Sequence, residues 1–430
     1  MKIIDVNLKI ILDSRGEETL EAELKSDKFS ASASVPAGKS KGAHEAFVLE
    51  PKKAPEKFES IKPQILNREF NTQEEFDNFL ISLDGNPSTS SGQAKQNLGA
   101  NLILALSLAF ARLKAKSEEK ELFQYINQLL RGSISLKLPR PIFNVINGGT
   151  HANNNLNFQE FQIIPAVSDF GMALGLGQEF YRKLKEFLEQ KFGKENVVLG
   201  DEAGFSCPFK NNEETIEILA ELIEKYHYPL RIGLDIAASQ FCFHQWKQEN
   251  YTYYLVDGKK YSPNELKKLY LKLIEAYKIL LIEDPFYEEA FDDFAELNAE
   301  LNKKSQSARR SASDPRLSSV DQRDSALIIT DDLTTTNPQR LQTAIEKKAG
   351  NAILIKPNQI GTLTETLEVV QLAYENNWQA VVSHRSAETM DDFIADLAVG
   401  IAAWGIKAGA PAAPERLVKY ERILKIATSH

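Results

Sequence analysis

Acidic, basic and hydroxyl side chains stand at the ends of a series of short apolar runs in the second half of the sequence. They are, in chain order, Asp235, Glu283, Asp331, Lys356, His384-Arg385-Ser386 and Lys407. Side chains of these types exchange protons and bind metal ions or anions. Solvation of a barrel rim would explain any one of these charges, but it does not explain the whole series. We therefore predict that these side chains form a site.

One strand–helix–strand segment shows how a fold would bring such side chains together. Two apolar runs, Leu327–Thr330 and Ala352–Ile355, have the composition of parallel strands covered on both faces. The helical pattern between them has Asn337 as its predicted N-cap, Pro338 as its first residue and Gly350 as its stop. Strands and helices alternate in this way through the second half of the chain, as an α/β barrel requires. Ligands bind at the C-terminal ends of such strands, where the ionisable side chains stand.

The first third of the chain has a different pattern. Its predicted strands and its helical region span residues 3–12, 19–24, 29–35 and 55–130. The sequence therefore predicts an α+β N-terminal cap domain of residues 1–135, followed by an α/β, TIM-like barrel of residues 139–430. Within the barrel, the Ser- and Arg-rich segment 303–324 lacks an apolar face, so we predict a disordered insertion there.

Two further groups of polar residues are candidates for the site. The glycine-bearing, basic loop Pro36–Gly42 carries Ser40 and fits either a hairpin turn or a mobile lid that meets a metal ion or a phosphate. Gln159 and Glu160 stand inside a predicted strand. Because buried polar groups need partners, we expect these two side chains to line a polar cavity or to surround a metal site.

Composition and charge narrow the classes of function. The 430 residues carry a formal net charge of −9 with a pI near 5.5, which argues against a nucleic-acid surface and favours a cytoplasmic protein. Two cysteines, Cys207 and Cys242, are too few for a disulfide framework, so we expect inert thiols in a reducing compartment. The most apolar helical segment, residues 98–113, is too short to span a membrane, and the N-terminus lacks a signal-peptide core.

Motifs along nearly the whole chain resemble those of the enolase family. In the first domain and at the junction they are Ser14-Arg15-Gly16, Gly42-Ala-His-Glu-Ala and Asn144-Val-Ile-Asn-Gly-Gly-Thr-His151. In the barrel they are Gly200-Asp-Glu202, Gly233-Leu-Asp235, Ile282-Glu283-Asp-Pro-Phe, Asp331-Asp-Leu, Lys356-Pro-Asn-Gln-Ile-Gly, Ser383-His-Arg-Ser386 and Ile406-Lys407-Ala-Gly-Ala. No single motif is decisive, but so many in the same order are specific. The resemblance implies an enolase-type fold and a glycolytic lyase that reversibly dehydrates 2-phosphoglycerate to phosphoenolpyruvate.

The resemblance also implies roles for individual residues. Lys356 would be the general base that removes the proton next to the carboxylate, and Glu202 would be the general acid that protonates the departing hydroxyl. Because a free lysine is too basic for this work, we expect Lys407 and a metal ion to depress the pKa of Lys356. Two Mg²⁺ ions are implied, the second arriving with the substrate, and their ligands would be Asp235, Glu283, Asp331 and Ser40. The substrate would be bound by His151, Gln159, Glu160, His384, Arg385, Ser386 and Lys407.

The sequence departs from the family pattern at several of these motifs. Lys39 and Lys41 flank the loop serine, where the pattern has neither lysine. Ala203 and Ala387 stand where the pattern has glycines, and Glu17-Glu18-Thr19 replaces Asn-Pro-Thr. An alanine is strained wherever the glycine it replaces needs a positive φ. We expect these changes to affect rate and lid dynamics and to leave the reaction class unchanged.

Two alternatives stay open from the sequence. One is another enzyme of the enolase superfamily, a dehydratase or racemase of a sugar acid or an amino-acid derivative; the Arg385-Ser386 pair and Glu202 speak against it. The other is an idle homologue kept as a structural or binding protein, which the complete set of acid, base and ligand residues speaks against. The implied partners are a phosphorylated small molecule and further copies of the chain, as a homodimer or an octamer.

Overall fold

The computed structural model describes residues 1–38, 42–85, 94–132, 134–245, 251–311 and 326–429. Within these ranges the chain forms a small antiparallel sheet with helices, followed by a closed barrel of strands surrounded by helices. Ser40 and its neighbours Lys39 and Lys41 lie outside the described residues. The expected role of Ser40 therefore stays a prediction.

The N-terminal sheet has three antiparallel strands in the order β1-β2-β3. They are β1 (Asp5–Leu12), β2 (Glu18–Lys25) and β3 (Ser30–Ser34). In β2, the buried residues Leu20, Ala22 and Leu24 alternate with the half-buried Glu21 and Glu23, so one face of the strand lies on a core. The helices that follow are α1 (Ala54–Ile65), α2 (Gln73–Asp84), α3 (Ala100–Ser117) and α4 (Leu122–Leu129). The apolar helix α3 packs against β2 and β3, and the predicted α+β composition of this part is confirmed.

The strands of the barrel come next. In chain order the strands after β3 are β4 (Arg140–Asn147), β5 (Glu160–Pro165), β6 (Val198–Leu199), β7 (Phe205–Ser206), β8 (Leu230–Asp235), β9 (Cys242–Gln245), β10 (Tyr251–Val256), β11 (Lys259–Tyr261), β12 (Leu281–Glu283), β13 (Leu327–Thr330), β14 (Ala352–Ile355), β15 (Gln379–Ser383) and β16 (Gly405–Lys407). Eight of them, all within the described ranges, close the barrel in the order β4-β5-β8-β12-β13-β14-β15-β16, because β16 pairs with β4. The hairpin β6–β7 extends the sheet beside β4, and β9, β10 and β11 form a separate antiparallel sheet. The predicted parallel pairing of β13 with β14 is confirmed.

Strand β5 runs antiparallel to both of its neighbours, β4 and β8, whereas β12 to β16 pair in parallel. The connection from β4 to β5 holds a 3-10 turn and no crossover helix, which favours the antiparallel pair that forms. The N-terminal end of β5 therefore meets the C-terminal ends of its neighbours, and Glu160 pairs with Asn147 on one side and Asp235 on the other. This reversal places Glu160 at the same barrel edge as the strand-end acids.

The helices after α4 cover the barrel. They are α5 (Phe170–Phe192), α6 (Asn212–Lys225), α7 (Pro263–Tyr277), α8 (Phe291–Ser311), α9 (Pro338–Lys347), α10 (Pro357–Ile360), α11 (Leu363–Glu375), α12 (Phe393–Gly400) and α13 (Pro414–Ser429). Short 3-10 helices span Pro51–Lys53, Gly149–His151, Lys194–Asn196 and Ala238–Phe241. Among the described residues, no helix combines the length and the apolarity needed to cross a membrane.

Two predictions about helices need correction. In α9, Asn337 is the N-cap as predicted, but Lys348 adopts a left-handed conformation with φ of 59° and ends the helix before Gly350. The prediction of a disordered insertion is wrong for residues 303–311, which continue α8, while residues 312–324 lie outside the described part of the chain. Once a helix has been nucleated by its packed first turns, residues such as Lys, Gln, Ala and Arg extend it without an apolar face.

Both cysteine thiols are free, and their surroundings suit the inert role expected from the sequence. Cys207 is buried and Cys242 is half-buried. Burial raises the pKa of Cys207 to about 12 and that of Cys242 to about 11. Because the thiolate is the reactive form, neither side chain is a nucleophile at neutral pH.

Candidate active site

The residues singled out from the sequence meet in one cavity at the edge of the barrel where the parallel strands end. The predicted residues that line this cavity are His151, Gln159, Glu160, Glu202, Asp235, Asp331, Lys356, His384, Arg385, Ser386 and Lys407. Glu283 lies behind this wall and contacts it through Lys407. The strand pattern explains most of the convergence, since most of these side chains end or follow a barrel strand. Gln159 and Glu160 stand at the start of the reversed strand β5, and Glu202 lies in the turn of the β6–β7 hairpin beside β4.

Lys407, the last residue of β16, is surrounded by three buried carboxylates. Its Nζ lies 2.9 Å from Asp235 Oδ2, 2.8 Å from Glu283 Oε2 and 3.1 Å from Glu160 Oε1. Burial alone would lower the pKa of Lys407, but the surrounding carboxylates raise it well above its usual value. Burial, followed by the charge of neighbouring acids, raises the pKa of both Glu160 and Glu283. Lys407 is therefore the cation that neutralises this acidic cluster.

Lys356, which follows β14, forms an ion pair with Asp331, which follows β13. The other oxygen of Asp331 accepts a hydrogen bond of 3.0 Å from Gln359 Nε2. Burial alone would lower the pKa of Lys356, but Asp331 raises it above its usual value. Lys407 does lower this pKa as expected, but Asp331 outweighs it, so the expected net depression is not found in the protein without a metal ion. The sequence did not show that Asp331 would pair with Lys356.

Glu202 lies in the turn between β6 and β7, where three side chains approach its carboxylate. Asn144 Nδ2 donates to Oε2 over 2.8 Å, and His384 Nε2 lies 3.5 Å from the same oxygen. His151 Nδ1 lies 3.6 Å from Oε1. Burial alone would raise the pKa of Glu202, but these histidines hold it well below its usual value, while burial and Glu202 raise the pKa of Glu160. Carboxylate oxygens of Glu160 and Glu202 lie within 4.8 Å of one another, so the two buried carboxyls share one proton, and these pKa shifts place it on Glu160.

The turn that carries Glu202 is strained at the next residue. Ala203 has φ of 62°, in the left-handed region that residues with a Cβ rarely adopt. Its carbonyl accepts a hydrogen bond of 2.5 Å from the Tyr181 hydroxyl, which fixes the turn. Ala387 differs, because its backbone is paired in both directions with Ala37 over 3.0 Å. Of the two alanines that stand in glycine positions, Ala203 is the strained one.

Arg385 is held from the N-terminal part of the chain. Its guanidinium donates to both carboxylate oxygens of Glu45, over 2.9 and 3.0 Å, and to Asn358 Oδ1 over 3.2 Å. A Cβ on Gly38 would come within 2.0 Å of the guanidinium, so the backbone at Gly38 lies directly against Arg385. The segment around Gly38 and Glu45 therefore completes the wall of the cavity on this side.

Acidic side chains at this edge could hold a cation. Donor atoms within 4.8 Å of one another come from two groups among the described residues, His151, Glu160 and Glu202 in one and Asp284, Asp331 and Asp332 in the other. The trio implied by the family resemblance, Asp235, Glu283 and Asp331, is not such a group here, and Lys407 and Lys356 lie against its oxygens. The three carboxylates nevertheless suit a divalent cation. They lie on neighbouring strands, their buried oxygens are hard ligands, and their negative charge attracts cations.

Several residues of the site carried no assigned role in the sequence analysis. They are Glu45, Asn144, Asp284, Asn358, Gln359 and Arg416. A polar residue inside an otherwise apolar strand pattern is a signal that could have drawn attention to Asn144. Arg416 gave no such signal, because an arginine near the start of a helix is ordinarily exposed.

A closed barrel with a buried acid–base cluster at its strand ends is the architecture of barrel enzymes, and comparisons with known proteins identify the family. A family model described as "Enolase, N-terminal domain" matches residues 3–126, and one described as "Enolase, C-terminal TIM barrel domain" matches residues 135–309 and 317–429. The chain is 40% identical to the enolase of Methanocaldococcus jannaschii over 99% of its own length and 95% of that protein. It is 39% identical to enolase 2 of Hevea brasiliensis and 38% identical to the enolase of Pyrococcus furiosus, each over 99% of this chain and 94% of the relative. The chain therefore belongs to the enolase family, and its activity is that of a lyase, phosphopyruvate hydratase.

Proposed function

We propose that this activity is the Mg²⁺-dependent, reversible dehydration of 2-phosphoglycerate, with Lys356 as the general base and Glu202 as the general acid. The observation that carries the proposal is that both side chains line one cavity from different sides. In the sheet order, β15 and β16 separate β14, which precedes Lys356, from β4 and β7, which hold the Glu202 turn. A substrate between the two groups can lose a proton to one and receive a proton from the other.

The chemistry balances with these two residues. The neutral amine of Lys356 takes the proton from C2, and the electron pair left behind is delocalised into the substrate carboxylate. Glu202, once it has taken the proton that it shares with Glu160, gives that proton to the C3 hydroxyl, the C3–O bond breaks, water leaves and the C2–C3 double bond forms. General acid and base groups placed in this way each accelerate such steps by about 10²–10⁴-fold.

Lys356 must lose its own proton before it can act. Its pKa is held up by Asp331, whereas burial, Arg385 and Lys407 all favour the neutral amine. If Asp331 pairs with another cation, it no longer raises the pKa of Lys356. Burial, Arg385 and Lys407 then lower that pKa. Asp235, Glu283 and Asp331 would hold one Mg²⁺ and Ser40 a second that arrives with the substrate, supplying positive charge for the enolate that develops on the carboxylate.

The remaining residues suit the two anionic ends of the substrate. Arg385 and Ser386 would bind the phosphate, Arg385 through its bidentate donors, and Lys407 would bind the carboxylate. His151, Gln159, Glu160 and His384 line the space between these ends. Residues 1–135 act as the cap domain that covers a barrel of residues 139–430, in a cytoplasmic homodimer or octamer.

The test follows the ultraviolet absorbance of the enol product when the purified protein meets 2-phosphoglycerate, with Mg²⁺ and with a chelator. We expect product only with Mg²⁺, none from Lys356→Ala, and undiminished product from Lys347→Ala, which removes an exposed lysine distant from the cavity. Folded, Mg²⁺-loaded protein without product would refute the proposal. Turnover of a sugar acid in its place would identify another superfamily enzyme.

A further inference from the structure

Arg416 is a buried arginine with donors aimed at the loop that follows β15. The side chain is 0% exposed, although it lies at the start of α13. Its Nη1 lies 2.6 Å from His384 Nδ1 and donates to the Arg385 carbonyl over 2.8 Å. Its Nη2 donates to the carbonyls of Ser386, over 2.7 Å, and Asp201, over 3.1 Å. One side chain therefore ties the His384 loop to the turn that carries Glu202.

The contact with His384 fixes where that imidazole carries its proton. A guanidinium has donors and no acceptor, so His384 Nδ1 must be the accepting, unprotonated nitrogen. The neutral ring then carries its hydrogen on Nε2. Burial lowers the pKa of His384 to about 4, so the ring is neutral near pH 7. Its buried Nε2–H has no hydrogen-bond partner among the described residues, and Glu202 Oε2 lies 3.5 Å from Nε2.

The same oxygen of Glu202 has a second donor. Asn144 Nδ2 donates to Oε2 over 2.8 Å, whereas Oε1 lies on the side of His151. A proton on Oε2 would face these two N–H groups and leave them without an acceptor, whereas a proton on Oε1 would face His151 Nδ1, which accepts when that ring carries its hydrogen on Nε2. We propose that Arg416, through His384, and Asn144 are positioning residues that assign the transferable proton of Glu202 to Oε1.

The assignment rests on the proposed function, because it presupposes Glu202 as the general acid. A positioning role for Arg416 also predicts a different result from a purely structural role, which would affect both steps of the reaction alike. Arg416 and Asn144 act on the carboxyl that expels the hydroxyl, and neither touches Lys356, which removes the C2 proton. Their loss should therefore slow dehydration much more than it slows exchange of the C2 proton with solvent.

The experiment measures both half-reactions of the Mg²⁺-loaded full chain with 2-phosphoglycerate. Exchange of the C2 hydrogen is followed by proton NMR in deuterium oxide, and dehydration by absorbance. We expect Arg416→Lys, which keeps one cation but not the forked donors, to slow dehydration by about 10–100-fold and exchange by less than about threefold. Arg422→Lys, an arginine of the same helix that pairs with Asp396 and Glu121 away from the cavity, should change neither rate.

Asn144→Leu is the second variant, and it keeps the test valid if Arg416→Lys does not fold. The Asn144 Oδ1 atom has no hydrogen-bond partner among the described residues, so leucine of similar size removes a single hydrogen bond. We expect the same selective loss of dehydration. Equal losses of exchange and dehydration in a folded variant, or no loss in Asn144→Leu, would overturn the assignment.

The tautomer of His384 gives an independent readout. Nitrogen NMR of histidine-labelled protein, with His384 identified by its absence from His384→Gln, should show an unprotonated Nδ1 that changes in Arg416→Lys. A protonated Nδ1 would overturn the assignment. Wild-type protein that catalyses neither exchange nor dehydration would refute the proposed function itself, whereas a proportional loss in the variants of an active wild type would refute only the role of Arg416 and Asn144.

Discussion

Replacing Lys407 by methionine tests how strongly the acidic cluster depends on one cation. Methionine has a similar length but no charge, so Asp235, Glu283 and Glu160 lose an ammonium that lies 2.8–3.1 Å from each. Breaking a buried ion pair by removing one partner costs about 3–5 kcal/mol, because the other charge is left uncompensated. We expect the free energy of unfolding near pH 7, with a chelator present, to fall by about 3–5 kcal/mol.

The sign of the pH dependence follows from the same carboxylates. Burial and neighbouring acids raise the pKa of Glu160 and Glu283 in the folded protein. A carboxyl whose pKa is higher in the folded than in the unfolded state stabilises the fold at low pH, and this contribution is lost as pH rises through the folded-state pKa. The variant should therefore recover part of its stability as pH falls, since protonation relieves the uncompensated charge.

Divalent cations should restore more of the stability of Lys407→Met than a fall in pH does. An ammonium and a divalent cation about 4 Å apart repel by about 8 kcal/mol at an effective dielectric constant of about 20, so loss of the ammonium favours a divalent cation at the acids by at most that amount. Urea unfolding followed by tryptophan fluorescence, with a chelator or with Mg²⁺, measures both effects. Lys347→Met, which removes an exposed lysine paired with Asp292, is the control and should cost less than about 1 kcal/mol. A loss below about 1 kcal/mol in Lys407→Met, or an equal Mg²⁺ effect in variant and parent, would refute the reasoning.

Other perturbations test the remaining parts of the structure. Lys95 and Glu365 form a buried ion pair of 2.8 Å, so Lys95→Met leaves the carboxylate of Glu365 without its cation. Urea unfolding should show that the unfolding free energy falls by about 3–5 kcal/mol, and adding Glu365→Gln should largely restore it. Strictly additive losses in the two variants would contradict the pairing. Burial raises the pKa of Asp77 to about 6, so its ionisation opposes folding from about pH 4 to about pH 6; the stability of Asp77→Asn relative to the parent should rise across that window, and a constant difference would contradict the shift. Ala203→Val should lower the unfolding free energy by more than about 2 kcal/mol, because a β-branched residue is strained at φ of 62°. Ala203→Gly relieves about 1 kcal/mol of strain but loses a buried methyl worth about 0.8 kcal/mol, so its stability should be nearly that of the parent. Equal thermal stabilities of these two variants would show that the left-handed turn imposes no strain.

The features that the sequence could predict are those that depend on the types and spacing of residues close together in the chain. Strands such as β13 and β14 are apolar throughout and end at a polar residue, so their C-terminal ends and the side chains there follow from the sequence. The N-cap at Asn337 is equally local. The enolase resemblance then supplied Glu202 and His151, which no local pattern distinguishes from ordinary turn residues.

The features that the sequence could not predict depend on which elements meet in space. The reversed direction of β5 decides that Glu160 lies beside Asp235, and that direction follows from the path of a short connection. The pairing of Lys356 with Asp331 depends on the register of two neighbouring strands. Arg416 reaches the site only because α13 packs against α5 and α12 and begins beside the loop that follows β15. The residues next to Arg416 in the sequence give no sign of that contact.

The closure of the barrel by β16 has a consequence for the chain during its synthesis on the ribosome. Glu283 precedes its partner Lys407 by 124 residues, and at a translation rate of about 5–20 residues per second this is a delay of about 6–25 s. During that interval the nascent sheet holds Glu160, Asp235 and Glu283 without the ammonium that neutralises them. The last strand made thus brings both the missing edge, by pairing with β4, and the missing counter-charge, so its docking is favoured by hydrogen bonding and electrostatics together. We expect nascent chains that stop before β16 to remain open and acid-rich, and therefore to be degraded rather than retained as partly active enzyme.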